Sequence, residues 1–322
     1  MKMISRVDLE LVPPLEEFLS LTGGGIKLHD ISSARKMMDE IFATMIKGLP
    51  TIEGITSEDR QVLGPEDAPY VTVRIYQPTD RPETLPALLW IHGGGYVLGS
   101  VEMDDLAAKQ LTKSIQCVVA SVEYRLAPEN PYPAPVEDCY AALKWLSIHS
   151  DEFGVEKSRI AIGGASAGGG LAASLALLAR DRKEVEVAFQ LLIYPMIDDR
   201  NITPASDAFP DTFVWSRENN LIGWKSYLGH EPGVEGVSPY AAACRATDLS
   251  GLPSAYISVG DLDLFLNENI EYAQRLLEAG VPTELHVYPG AFHGFDSFAP
   301  KADISQRFNV ERDTVLKHVL HR

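Results

Sequence analysis

Residues 159–170, RIAIGGASAGGG, limit what this chain can fold into more than any other stretch, because an apolar run meets a cluster of small residues around one serine, Ser166. Arg159 to Ile162 reads as a short buried strand, and Leu171 to Arg180 (LAASLALLAR) as a helix, with a tight turn from Gly163 onwards. A strand that reverses into a helix so quickly strains its turn residue and tolerates only small neighbours. Gly164, Ala165, Ala167 and Gly168 meet that demand. The pattern is GxSxG, which chance alone places in roughly one chain of this length in ten. Its position between strand and helix is what gives it meaning: there the serine hydroxyl stands above the strand ends, and the N–H of Ala167 is aimed at the same space.

The rest of the chain repeats this strand-to-helix rhythm. Strands are expected at 52–62, 70–77 (YVTVRIYQ), 87–92 (ALLWIH), 116–123 (QCVVASVE), 186–194 (EVAFQLLIY), 254–259 (SAYISV) and 284–288 (ELHVY). Helices are expected at 104–114 and 136–149. The turn-like GPEDAP separates the first two strands. Such alternation implies an α/β chain with a mostly parallel sheet covered on both faces, and places catalytic groups at the carboxyl ends of the strands. Two segments break the rhythm. Residues 8–47 are charged and helical in pattern, with Met37, Ile41, Met45 and Ile46 at helix spacing behind Ser32 and Ser33. Between Pro195 and Tyr240 there are five large aromatics, Phe209, Phe213, Trp215, Trp224 and Tyr227, but no strand pattern. Together they read as a cap, formed by 1–47 and about 196–239, over a core of 48–195 and 240–322 within a single domain.

Composition narrows the partners. With 28 basic against 45 acidic residues the net charge is -17, which argues against nucleic acid or an anionic membrane. Cys117, Cys139 and Cys244 cannot all pair within the chain and have no metal-ligand spacing, so they read as reduced thiols of a cytoplasmic protein with no metal. MKMISRVDLELVPPLEEF lacks a continuous apolar core, and no stretch approaches the ~18 apolar residues of a span. Neither export nor membrane insertion is expected.

A serine hydroxyl is a poor nucleophile at neutral pH, so it needs a base and a group to orient that base. Of the eight histidines, His293 is best placed, in the loop YPGAFHGF after the last strand. His286 lies inside that strand, His92 begins a glycine loop, His149 ends a helix, and His318 and His321 belong to the C-terminal helix. The acid should follow the strand 254–259, where GDLDLFLNEN offers Asp261 and Asp263; Asp263 is the stronger candidate because Leu264 and Phe265 can bury it, while Asp261 suits bracing the turn. Asp198 and Asp199 are more remote choices. HGGG at 92–95 follows a strand and can present its N–H groups to a developing oxyanion. Neither phosphate-binding pattern, GxxxxGK[ST] or GxGxxG with a trailing acid, is present. No cofactor is called for. Glu129 and Asp138, in the proline-rich stretch 124–138, are expected to accept hydrogen bonds that stiffen it.

Taken in order, HGGG (92–95), YRLAPENPYPAPVED (124–138), GASAGG (164–169), DLFLNE (263–268) and FHGF (292–295) resemble the hormone-sensitive-lipase-like carboxylesterases of the α/β-hydrolase fold, from about Val71 to the C-terminus. The resemblance implies Ser166 as nucleophile, His293 as base and Asp263 as acid, with Gly94, Gly95 and Ala167 donating to the oxyanion. It also implies a short- to medium-acyl esterase with a helical cap, a small-molecule ester as substrate, and a homodimer. Trp215 and Trp224 are the candidates for walling the acyl pocket. One departure stands out: Ala165 occupies a position where many members carry Asp. Competing readings are an amidase or formamidase on the same triad, a non-catalytic small-molecule receptor on this scaffold, and a lipase acting at lipid surfaces, to which the acidic N-terminus lends little support.

Overall fold

The computed structural model describes residues 4–46, 51–65, 68–208 and 214–322. Phe209 and Phe213, the side chains of Met45 and Ile46, and part of the GPEDAP turn lie outside the described residues.

Eight strands form one sheet in the order β1-β2-β4-β3-β5-β6-β7-β8. They are β1 (Ile55–Val62), β2 (Val71–Pro78), β3 (Leu85–Ile91), β4 (Val118–Glu123), β5 (Val155–Ala165), β6 (Phe189–Ile193), β7 (Ser254–Gly260) and β8 (Thr283–Tyr288). β1 and β2 form an antiparallel hairpin, β2 runs antiparallel to β4, and every pairing from β4 through β8 is parallel. The central strands are buried on both faces: every residue of β3 (LPALLWI) and of β6 (FQLLI) is buried. Such continuous apolar runs suit strands covered by helices on each side. β1 carries charge on both faces and lies at the edge, where charged side chains discourage further pairing.

In chain order the helices are α1 (Val12–Leu21), α2 (Ile31–Ile46), α3 (Asp105–Ile115), α4 (Ala134–Ile148), α5 (Ser150–Phe153), α6 (Ala167–Arg182), α7 (Pro204–Ala208), α8 (Arg217–Leu228), α9 (Leu266–Glu278), α10 (Phe295–Phe298) and α11 (Asp303–Leu320). α6 is buried from Ala167 through Ala179, which explains its all-round small and apolar composition; it packs against both β5 and β6. α9 is amphipathic instead, hiding Tyr272, Ala273 and Leu276 while Glu271 and Gln274 face outward.

The sequence reading needs one correction here. β5 does not stop at Ile162 but continues through Gly163 and Gly164 to Ala165, and α6 starts at Ala167 rather than Leu171. Glycines are poor strand formers in isolation, but Gly163 and Gly164 pair with Leu191 and Leu192 of β6 on one side and with Trp90 and Ile91 of β3 on the other. Neighbours on both edges override the local preference. The turn is thereby reduced to Ser166 alone.

Candidate active site

Ser166 sits between β5 and α6 at φ 56, ψ -120, backbone that a residue with a side chain adopts at a cost of about 1–3 kcal/mol. Its own backbone groups hold it there. The N–H donates to Ile193 O at 2.9 Å, and the carbonyl accepts from Gly170 N at 2.9 Å and Met196 N at 3.0 Å. The elbow also needs Gly168, since a Cβ at that position would run into the backbone of Ile91 and His92. Only 9% of Ser166 is exposed, so its hydroxyl faces a nearly enclosed space.

The hydroxyl donates to Nε2 of His293 at 2.9 Å, and Nδ1–H of His293 donates to Asp263 Oδ2 at 2.8 Å. Asp263 is fully buried; its other oxygen accepts the N–H of Phe265 at 2.9 Å. The protonated Nδ1 leaves a lone pair on Nε2 for the serine proton, as a general base requires. The other sequence candidates are engaged elsewhere. Asp261 accepts the N–H of Gly290 at 2.6 Å and pairs with Arg6, bracing the turn after β8. Asp198 pairs with Arg200, Asp199 with Arg245, and His286 lies between Glu284 and Glu311.

The glycine loop follows β3. Gly94 has φ 116, and its carbonyl accepts from Val97 N at 3.1 Å and Leu98 N at 2.8 Å, closing a turn too tight for a Cβ, which would strike the Leu98 carbonyl. Among the described residues none accepts a hydrogen bond from the N–H of Gly94, Gly95 or Ala167. Free backbone donors beside a nearly enclosed hydroxyl suit an incoming oxyanion. His92, at the root of the loop, is fully buried, stacks on Tyr124 at 4.2 Å and directs Nδ1–H to Gly93 O at 2.8 Å. Its Nε2 has no hydrogen-bond partner among the described residues, and burial lowers its pKa to about 4, so it is a neutral prop.

The two tryptophans part company. Trp215 lies directly over Gly95, its Nε1–H donating to Asn220 Oδ1 at 3.2 Å. Trp224, expected beside the acyl chain, is instead fully buried against Tyr96 at 5.1 Å and Tyr227 at 6.1 Å, behind the glycine loop. Trp215 precedes α8 whereas Trp224 lies on it, next to Gly223, whose missing side chain lets the helix approach the Gly95 carbonyl and Trp215. The proline-rich stretch works as expected, with Asp138 bound by Arg125 and Glu129 by Arg35.

Sequence reasoning missed two neighbours of the site. Tyr194 presents its ring to His293 at 4.8 Å, opposite Phe265 at 5.1 Å, and Arg35 of α2 donates to Val97 O and Ala127 O, both at 2.8 Å. The tyrosine's position just past a strand was the available signal; nothing in the sequence marks Arg35.

Residues 88–297 match a family profile described as alpha/beta hydrolase fold. Carboxylesterase NlhH of Mycobacterium tuberculosis is 34% identical over 269 residues, 82% of this chain and 83% of that protein. The arylesterase of Saccharolobus solfataricus is 32% identical over 83% of this chain and 85% of its own length. Among solved structures, a bacterial heroin esterase superposes with TM-score 0.94 at 41% identity, covering 98% of this chain and 99% of that one. A hyperthermophilic esterase from the archaeon Pyrobaculum calidifontis superposes with TM-score 0.88 at 32% identity, covering 97% and 98%. With the profile spanning the sheet from β3 to α10 and the likeness extending over nearly the whole chain, this protein belongs to the α/β-hydrolase fold family, in its hormone-sensitive-lipase-like branch.

Proposed function

We propose that the chain is a carboxylesterase acting on short- to medium-chain acyl esters, with Ser166 as nucleophile, His293 as general base and Asp263 as its orienting acid. The observation that carries this is the unbroken relay from the Ser166 hydroxyl through the imidazole to a buried carboxylate, at 2.9 and 2.8 Å. His293 takes the proton as Ser166 attacks the ester carbonyl, and the N–H groups of Gly94, Gly95 and Ala167 receive the developing oxyanion, each worth roughly 3–4 kcal/mol in the transition state. The imidazolium then protonates the departing alcohol. Water, deprotonated by His293, cleaves the acyl-enzyme and releases the acid.

The cap belongs to the same reading. α1, α2, α7 and α8 fall in the segments 1–47 and 196–239, and the Asn219 side chain of α8 donates to Ile26 O at 2.9 Å, joining the two. Trp215, over Gly95, is the residue we assign to the wall of the substrate pocket. The three cysteines are free and buried, which supports a reducing, cytoplasmic setting, and no described helix is long and apolar enough to cross a membrane. The outer edge of β8, which pairs with no other strand among the described residues, supports a homodimer.

Replacing Ser166 by Ala is expected to reduce hydrolysis of p-nitrophenyl butyrate about a millionfold in a folded protein. Stoichiometric labelling of Ser166 by an organophosphate separates an esterase from a receptor on the same scaffold. Turnover retained by the alanine variant would refute the nucleophile assignment.

A further inference from the structure

The imidazole of His293 has neighbours that the relay to Asp263 does not use. Tyr194 is the first residue after β6, and it keeps a positive φ of 34 although it is no glycine. Its N–H donates to Ser258 O at 2.6 Å, and its ring meets the His293 ring edge-on, at 4.8 Å and 66°. Phe265 presents a second ring edge-on to His293, at 5.1 Å and 86°. Left-handed backbone at a bulky residue persists only where the surroundings enforce it, and such residues gather at working sites.

The hydroxyl of Tyr194 donates to Asp296 Oδ1 at 2.9 Å. Asp296 lies on α10, three positions beyond His293, half-buried and with no ion-pair partner within 4 Å among the described residues. The buried acids Asp138, Asp198 and Asp199 each have an arginine. Asp296 has a tyrosine hydroxyl and, within electrostatic reach, the imidazole itself.

We propose that Tyr194 and Asp296 are positioning residues for His293, the ring fixing the plane of the imidazole and the carboxylate stabilising the imidazolium that forms when Ser166 loses its proton. This rests on the assignment of Ser166 and His293 given above. A second carboxylate within electrostatic reach of the base adds to what Asp263 supplies, because a neighbouring anion favours the charged imidazole.

The groups that act on this pair come from several elements. Asp263 follows β7, and Glu268 of α9 lies behind it. Asp104, just before α3, repels Asp296, while Arg312 of α11 attracts it. Burial is the largest influence on the Asp296 carboxyl and pushes it up; the Tyr194 hydroxyl, Arg312 and His293 pull it down. Of these, only His293 changes charge during the reaction.

The test compares pH profiles of kcat and kcat/KM on p-nitrophenyl butyrate for Asp296→Asn, Asp296→Glu and Tyr194→Phe, beside the unaltered enzyme and Ser166→Ala. Asp296→Asn keeps an acceptor for the Tyr194 hydroxyl. It is expected to lose roughly tenfold in kcat with KM nearly unchanged, and to move the acid limb of kcat/KM to lower pH by about half to one unit, because removing an anion makes the imidazolium easier to deprotonate. Asp296→Glu should restore the limb, and Tyr194→Phe should move it part of the way. A limb that stays in place in Asp296→Asn overturns the proposal, whether or not kcat falls, since loss of rate alone marks a packing role. If Asp296→Asn fails to fold, Tyr194→Phe decides: an unmoved limb there overturns it equally. Turnover surviving in Ser166→Ala would sink the underlying triad, whereas an inert Ser166→Ala beside an unmoved Asp296→Asn sinks this inference alone.

Discussion

His92 shows how much of the site is set by single side chains that do no chemistry. Its Nδ1–H is committed to Gly93 O and its Nε2 faces no acceptor, so a second proton would have nowhere to donate. Complete burial of the ring disfavours the charged form and lowers the pKa from 6.5 to about 4, against a smaller upward pull from the Gly93 carbonyl. Because the unfolded chain binds this proton first, the neutral ring contributes stability that is fully present above pH 6.5 and is lost as pH falls toward 4, roughly 3 kcal/mol in all. Asp104 works in the opposite sense: burial pushes it up to about 6, so the folded state holds its proton longer and gains stability toward acid between about 4 and 6. His92→Asn should thus flatten the acid side of a thermal-midpoint curve measured from pH 7 to 4, and a curve as steep as that of the unaltered protein would contradict this account. Residues of this kind were only partly legible. Ser166, His293 and the glycines stand out because nucleophilic chemistry needs unusual residue types at strand ends. The choice between Asp261 and Asp263 stayed open on the residues alone, since both follow the same strand and only tertiary geometry turns one toward the imidazole and the other toward Gly290. Tyr194 and Asp296 are 102 positions apart, and no local pattern announces their hydrogen bond.

Elements were read more reliably than their ends. All eight strands were anticipated, most of them as apolar or alternating runs, yet β5 extended through two glycines that propensity assigns to a turn, because pairing with β3 and β6 on either side outweighs intrinsic preference. The helices outside the sheet were legible as helices but not in their anchoring. α2 is tied down by Arg35, whose guanidinium donates to Val97 O and Ala127 O and forks onto both oxygens of Glu129 at 2.9 and 2.8 Å. One side chain thereby links α2, the glycine loop and the proline-rich loop. Arg35→Ala leaves two buried carbonyls without a donor, so it should cost about 1–3 kcal/mol in urea unfolding and raise KM for ester substrates as the glycine loop loosens. Unchanged stability and KM together would show the clasp to be idle. The clasp escapes sequence reading because Glu129 signals only that it can accept, not from which helix the donor comes.

At the scale of the whole molecule, parallel order from β4 to β8 gathers the carboxyl ends of β5, β7 and β8 along one rim, each supplying one member of the relay. Ser166 and His293 are 127 positions apart, Asp263 and His293 30. No fragment short of that span holds the set, and no two adjacent strands suffice. Esterase activity is therefore expected to vanish in the same temperature interval as the calorimetric transition; activity lost well below it would mean that the β7–β8 margin opens on its own. The strain at Ser166 has a further implication. A lone serine kept at positive φ by its N–H bond to Ile193 O and by the N–H groups of Gly170 and Met196 relaxes as soon as those partners withdraw, so a partly opened copy of this protein loses the placement of that hydroxyl before the rest of the sheet comes apart.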